Sequence, residues 1–196
     1  MNDDKRIQYI IKEAEESAVL RRTVGQNLAK PLVELADIFS GVIGSGGKVL
    51  ICGNGGSAAD SSHMAAEMIV RLTSTRNRQS LPAIALSTDT AVMTAASNDF
   101  GFDKIFARQV EGLGKKGDIL FLISTSGNSP NLLEAVKTAR EIGILTSALL
   151  GNDGGKLAPH VDKAIIVPHN SVQRIQEEQI FLIHMLVELI ESVLFG

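Results

Sequence analysis

From Lys48 onward the chain alternates short, continuously apolar runs with stretches of helical periodicity, and that alternation leaves few folds open. The runs read as strands at Val49–Cys52, Ala83–Leu86, Ile119–Ile123, Thr146–Leu150 and Ala164–Val167. Helices are expected between them near 58–71, 90–97, 103–113 and 130–141, with a short one near 154–159 and a long last one over 171–194. A strand apolar on both faces needs cover on both faces, and strands that alternate with helices pair in parallel. The expectation is an α/β domain with a doubly wound, five-stranded parallel sheet flanked by helices. Ahead of it, residues from about 4 to 45 read as two N-terminal helices. Ile7, Ile10, Ile11, Ala14, Ala18 and Leu20 outline a helical face in the first. Gly25 and Pro31 punctuate the pair, and Gly44-Ser45-Gly46-Gly47 closes it.

No linker, repeat or low-complexity stretch is evident, so 1–196 reads as one domain, with a helical pair over 1–46 and an α/β unit over 47–196 that ends in a long helix. The length suffices for a sizeable core. Apolar residues on more than one face of the terminal helices favour an oligomer over a monomer. A net charge of −3 gives no support to a nucleic-acid role. The single cysteine, Cys52, rules out an intrachain disulfide and a Cys-rich zinc site, and reads as buried and inert. The first residues lack a signal-peptide apolar core, and no apolar run approaches the roughly 20 residues that span a bilayer. A soluble cytoplasmic protein is expected, with no membrane or nucleic-acid partner.

Two turns carry the chemistry. Gly53-Asn54-Gly55-Gly56-Ser57 follows the first strand, and Ser124-Thr125-Ser126-Gly127-Asn128-Ser129 follows the third. Both fall at the carboxyl ends of strands, where an α/β sheet opens its ligand crevice. The glycine turn allows close approach of backbone to ligand, with Ser57 a natural N-cap. It lacks the Gly-x-Gly-x-x-Gly spacing, and no Gly-Lys-Ser/Thr occurs, so dinucleotide and P-loop readings are disfavoured. The same turn also serves as a plain tight connection. In the hydroxyl turn, Ser129 is the expected N-cap with Pro130 at the first helical position. Five small polar residues exceed what capping requires, and hydroxyls, backbone N–H groups and a helix N-terminus together suit a phosphate.

His63 and Glu67 stand at i and i+4 on the helix after the glycine turn, so both reach a common atom. That spacing serves metal ligands and ordinary surface pairs alike. Arg71 is expected one turn further along the same face, where it can meet a substrate anion. Gln176 and His184 lie in the last helix, about 12 Å of rise apart, so both reach one ion only if long side chains converge. A lone histidine on an apolar helix is more often a satisfied core residue, and Gln173, Arg174, Gln179 and Glu188 read equally well as solvated. Asn98 and Asp99 are expected in a turn, where Asp99 bonds sugar hydroxyls or caps the next helix. His160 and His169 read as surface residues.

The strings Cys52-Gly53-Asn54-Gly55-Gly56-Ser57-Ala58-Ala59-Asp60 with His63 and Glu67, Asn98-Asp99-Phe100-Gly101-Phe102, Ile123 to Ser129, and Arg174-Ile175-Gln176-Glu177 with His184 resemble the phosphoheptose isomerases of the sugar isomerase (SIS) family, a flavodoxin-like fold. The resemblance runs over nearly the whole chain, in order. It implies a homotetramer with active sites shared between subunits. The implied reaction converts sedoheptulose 7-phosphate to D-glycero-D-manno-heptose 7-phosphate, the first step toward the heptoses of lipopolysaccharide and other surface glycans. By position, His63, Glu67, Gln176 and His184 match a zinc site, one ion per subunit. Asn54, Gly55, Gly56, Ser57, Glu67, Arg71, Asn98, Asp99, Ser124, Thr125, Ser126, Ser129 and Gln176 are the expected substrate contacts.

Ketose-to-aldose isomerisation moves a proton between carbons through an enediol and needs a base and an acid. Glu67 is the expected base and His184 the acid, with zinc polarising the carbonyl. A carboxylate held tightly by zinc is a poorer base, so ligand and base roles compete at Glu67. The chain departs from the usual Arg-Ile-Gln-Glu-x-His string at Gln179. The alternative is a non-catalytic SIS tetramer that binds the DnaA replication initiator. Such relatives lack the acid on the first helix and the final histidine, and both are present here.

Overall fold

The computed structural model describes residues 2–196. A 42-residue helix, α1 (Asp3–Gly44), leads into β1 (Val49–Gly53) and α2 (Gly56–Ile69). Next come β2 (Ala83–Ala85), α3 (Thr90–Phe100) and a 3-10 turn at Phe102–Lys104 that runs into α4 (Ile105–Leu113). Then follow β3 (Ile119–Ser124), α5 (Pro130–Ile142), β4 (Leu145–Gly151), a second 3-10 turn at Ala158–His160, β5 (Lys163–Val167) and α6 (Val172–Phe195). All five strands are parallel, in the order β2-β1-β3-β4-β5. The doubly wound sheet is the one expected, with every strand within a residue of its predicted bounds. The stretch expected as a helix near 154–159 is only the short 3-10 turn.

Alternate residues of the central strands feed two cores. Val49, Ile51, Phe121 and Ile123 point to the side covered by α1, α2 and α6, where Phe39 meets Phe121 edge-on at 5.4 Å. Leu50, Cys52, Leu120 and Leu122 point to the side covered by α4 and α5. Such an aromatic pair adds about 0.5–1.5 kcal/mol beyond the area it buries. Cys52 is fully buried, which pushes its thiol far above the ordinary value and leaves it inert. At the base of the sheet Asp118 accepts from Lys48 N (3.0 Å), Lys115 N (2.9 Å) and Lys48 Nζ (2.6 Å), tying β1 to β3.

The expected pair of N-terminal helices is one helix. Asn2 caps it through Lys5 N, and neither Gly25 nor Pro31 breaks it. Pro31 removes the donor to the Asn27 carbonyl, but Asn27 is exposed, so that carbonyl is not buried without a partner. Leu20, Val24, Leu32, Leu35 and Phe39 are buried against the rest of the chain, and Arg21 reaches Glu178 of α6 at 2.7 Å. That packing holds the helix through its proline. Residues 2–12, in contrast, are exposed throughout, including Ile7, Tyr9, Ile10 and Ile11. Among the described residues no helix is long and apolar enough to cross a membrane.

Candidate active site

The strand order reverses direction between β1 and β3, and the two turns flank that point, because Gly53 pairs in register with Ile123. Gly53 has no room for a side chain: a Cβ there would lie 2.6 Å from the Ser57 carbonyl oxygen. Gly127 is doubly required, by a φ of +62° and by the Gly154 carbonyl, which fills the place a Cβ would take. A reciprocal amide pair staples the turns together. Asn54 Nδ2 donates to Asn131 Oδ1 at 2.9 Å, and Asn131 Nδ2 donates to Asn54 Oδ1 at 2.8 Å. Asn54 was expected as a substrate contact, and here both atoms of its amide head are committed to Asn131. Asn131, buried in the first turn of α5, escaped the sequence reading.

Gly55, not Ser57, is the N-cap of α2; Ser57 lies inside the helix, buried, with its carbonyl accepting from Ser61 Oγ at 2.7 Å. In the hydroxyl turn Ser124 Oγ accepts from Gly127 N at 3.0 Å and Ser126 Oγ from Asn128 N at 3.3 Å. Ser129 takes the N-cap position with Pro130 after it, but its side chain makes no cap bond. Its Oγ is therefore free for a ligand at the N-terminus of α5, with Thr125 half-buried in the same turn.

One helix turn apart on α2, His63 and Glu67 meet His184 of α6 within the same chain. His63 Nε2 lies 2.8 Å from Glu67 Oε1 and 3.2 Å from His184 Nε2, and His184 Nε2 lies 3.4 Å from the same Glu67 oxygen. The edge of a tetrahedron with bonds of roughly 2.0–2.1 Å is about 3.3 Å, so the three atoms stand at nearly the separations that one ion requires. Two imidazole nitrogens and a carboxylate oxygen this close together form a set that could hold a metal ion. Glu67 Oε2 is buried and has no partner among the described residues. On the preceding turn, burial pushes the Asp60 carboxyl above its ordinary value while His63 draws it back. His184 is thus no satisfied core residue; it is half-exposed and faces two side chains of another helix.

Gln176 lies on the face of α6 that meets the start of α2. Its amide nitrogen lies against Gly56, in the space that a Cβ on that glycine would need. Arg71 lies beyond the end of α2, exposed and turned to the Ser74 carbonyl at 3.5 Å, so it does not extend the His63–Glu67 face. Asn98 and Asp99 fall in the last turn of α3, not in a loop; both are exposed and bond each other at 2.8 Å. Gln179 is fully buried, donating to the carbonyls of Leu149 (3.0 Å) and Ser124 (3.3 Å) at the tip of the sheet. Arg174 is also engaged, bonding Ser17 Oγ and the Glu13 carbonyl of α1, whereas Gln173 and Glu188 are solvated.

A flavodoxin-like sheet, a hydroxyl-lined turn at its switch point and a His–Glu–His cluster on the flanking helices are the features expected of a SIS-type sugar-phosphate protein. The family model described as SIS domain matches residues 14–151. A phosphoheptose isomerase of Chlorobaculum parvum is 49% identical over 188 residues, covering 95% of this chain and 90% of that relative. The solved phosphoheptose isomerase of Neisseria gonorrhoeae superposes with a TM-score of 0.88 at 43% identity, covering 94% of this chain and 98% of the other. That of Francisella tularensis gives 0.91 at 34% identity, with 95% and 98% covered. The chain belongs to the phosphoheptose isomerase family of SIS-domain proteins. It is a sugar phosphate isomerase; each of these relatives is named as a phosphoheptose isomerase, and the initiator-binding alternative gains no support.

Proposed function

We propose that the chain converts sedoheptulose 7-phosphate to D-glycero-D-manno-heptose 7-phosphate, the opening step of heptose supply for lipopolysaccharide and other surface glycans. The observation that carries the reading is the convergence of His63, Glu67 and His184 on two helices, one starting at the glycine turn and the other bonded to Ser124 of the hydroxyl turn through Gln179. Ser124, Thr125, Ser126 and Ser129 bind the phosphate, with the N-terminus of α5 behind them. The glycine turn, Asn54 to Ser57, walls the sugar, with Gln176 against it. His63, Glu67 and His184 would hold one zinc ion per subunit, with Gln176 as a further ligand by family position. Zinc there would polarise the substrate carbonyl.

Glu67 moves the proton: it takes hydrogen from C1 of the ketose and returns it to C2. His184 serves the two oxygens, giving a proton to O2 as O1 loses one, so that the enediol closes to the aldehyde. The two oxygens of Glu67 stand in different surroundings. Oε1 faces the imidazoles, and Oε2 has no partner among the described residues.

A cytoplasmic homotetramer with shared sites completes the proposal. Its support is the exposed apolar stripe of Ile7, Ile10 and Ile11 on α1, and an apolar groove of about 860 Å³ between α1 and α6 lined by Val24, Leu32, Phe181 and Met185. Arg71, Asn98 and Asp99, exposed and outside the cluster, are then contributed to a neighbouring subunit's sugar.

A coupled assay on sedoheptulose 7-phosphate, with and without a chelator, tests the reading. Turnover lost on chelation and restored by zinc is expected. Glu67→Gln should abolish turnover yet still bind the sugar phosphate. Near-parental turnover in that variant would sink the assignment.

A further inference from the structure

We propose that Arg78 is a positioning residue that holds the Glu67 end of α2 at a fixed separation from α6, and so sets the geometry of the His63–Glu67–His184 cluster. The inference rests on the metal reading above. Arg78 lies in the segment after α2, and its side chain is 1% exposed. Its Nη2 donates to the carbonyl of Glu67 itself at 2.8 Å, and Nη1 to the carbonyls of Met68 (2.8 Å) and Gln79 (2.9 Å). Nε donates to Glu191 Oε1 at 2.6 Å. Glu191 is buried on α6, about two turns beyond His184 and on the same face.

One guanidinium thus grips the helix that carries His63 and Glu67 and the helix that carries His184. The two carbonyls it takes on α2 are among those a helix leaves without partners at its C-terminus, where a cation is also favoured. No basic side chain in the last turn of α2 does that work. The second oxygen of Glu191 faces Arg76 Nε at 3.9 Å, so the carboxylate lies between two arginines.

A clamp for stability alone does not need this chemistry. A buried ion pair is often matched in stability by apolar side chains of similar volume. The fork of an arginine gives direction: its donors, held at fixed angles, fix where the Glu67 backbone sits relative to α6. A methionine in its place fills the volume and lets α2 slide.

The experiment uses the full chain as two variants, the double substitution R78M/E191L and the single R78K. Thermal melting reports the fold, competition with a chromophoric chelator reports zinc affinity, and steady-state kinetics separate kcat from KM. Partners that orient metal ligands typically change affinity or activity roughly 10–100-fold. Zinc affinity and kcat are therefore expected to fall at least about tenfold in both variants, with KM within about threefold. Lysine does not rescue, because a point charge cannot take three carbonyls and a carboxylate at once. Folded R78K or R78M/E191L protein that binds zinc within about threefold of the parent overturns the inference. A parent chain that binds no zinc refutes the metal reading instead.

Discussion

Exchanging one atom in the staple between the two turns gives a sharp prediction. Asn131→Asp keeps the shape of the side chain and turns the Nδ2 donor into an acceptor. Asn54 Oδ1, now 2.8 Å from that donor, would face a carboxylate oxygen instead. One hydrogen bond is lost, about 0.5–1.5 kcal/mol, and an acceptor-rich buried site must take a charge, about 1–3 kcal/mol more. The N-terminus of α5 returns up to about 1 kcal/mol of that by favouring an anion. The net loss at pH 7 is then about 2 kcal/mol, or roughly 4–8 °C in Tm for a chain of this size. Burial beside an acceptor raises the carboxyl of the variant above its unfolded value of about 3.9. Its protonated form restores the donor, so the deficit is smallest below that value and grows as pH rises through the folded one. Urea denaturation at pH 5 and pH 7 reads the difference. A companion cycle of Asn54→Ala and Asn131→Ala should show a coupling of about 1–2 kcal/mol. Additivity within about 0.5 kcal/mol would refute the staple.

Two further outcomes follow from other sites. The Asp118 carboxyl is held below its ordinary value, because three donors from Lys48 and Lys115 outweigh the desolvation that opposes them. Its contribution is complete above about pH 4 and fades as pH falls through the lowered value; Asp118→Asn should cost about 3 kcal/mol at pH 7 in urea titrations and flatten that acid limb. Gly56→Ala must push the Gln176 amide aside while leaving the backbone unstrained. It should change stability by less than about 1 kcal/mol, yet weaken sugar phosphate binding in calorimetry, and unaltered binding would remove Gln176 from the site.

The sheet was legible in the sequence because most strands are short, mainly apolar runs bounded by Gly, Pro, Ser or charged residues, a signal that depends only on neighbours along the chain. The His63–Glu67 pair was legible for the same reason, being local to one helix. His184 needed the resemblance, since its meeting with α2 depends on how α6 crosses the sheet. Asn131, Arg78 and Glu191 left no local signal at all: an asparagine in a helix start and charged residues near helix ends look like capping and solvation. The break expected at Gly25 and Pro31 is a case of local cost outweighed. A proline inside a helix costs about 3 kcal/mol, but the buried side chains on either side of it contribute about 1.5–3 kcal/mol each. Propensity named the weak points of α1, and packing decided whether they gave way.

The unbroken course of α1 turns its length into encoded information. At 1.5 Å per residue its 42 residues span about 63 Å, against a radius of gyration of about 16 Å for a domain of this size. From Glu13 onward the helix is bolted to α6, and residues 2–12 are a cantilever. Because both parts share one rigid axis, removing a single residue near Lys12 would swing the stripe of Ile7, Ile10 and Ile11 by about 100° relative to the bolted part. Only changes of seven residues or so leave its heading nearly intact. Pro31, which looks like a joint, is welded shut, and the helix acts as a gauge that fixes both how far from the sheet, and in which direction, its apolar tip is delivered.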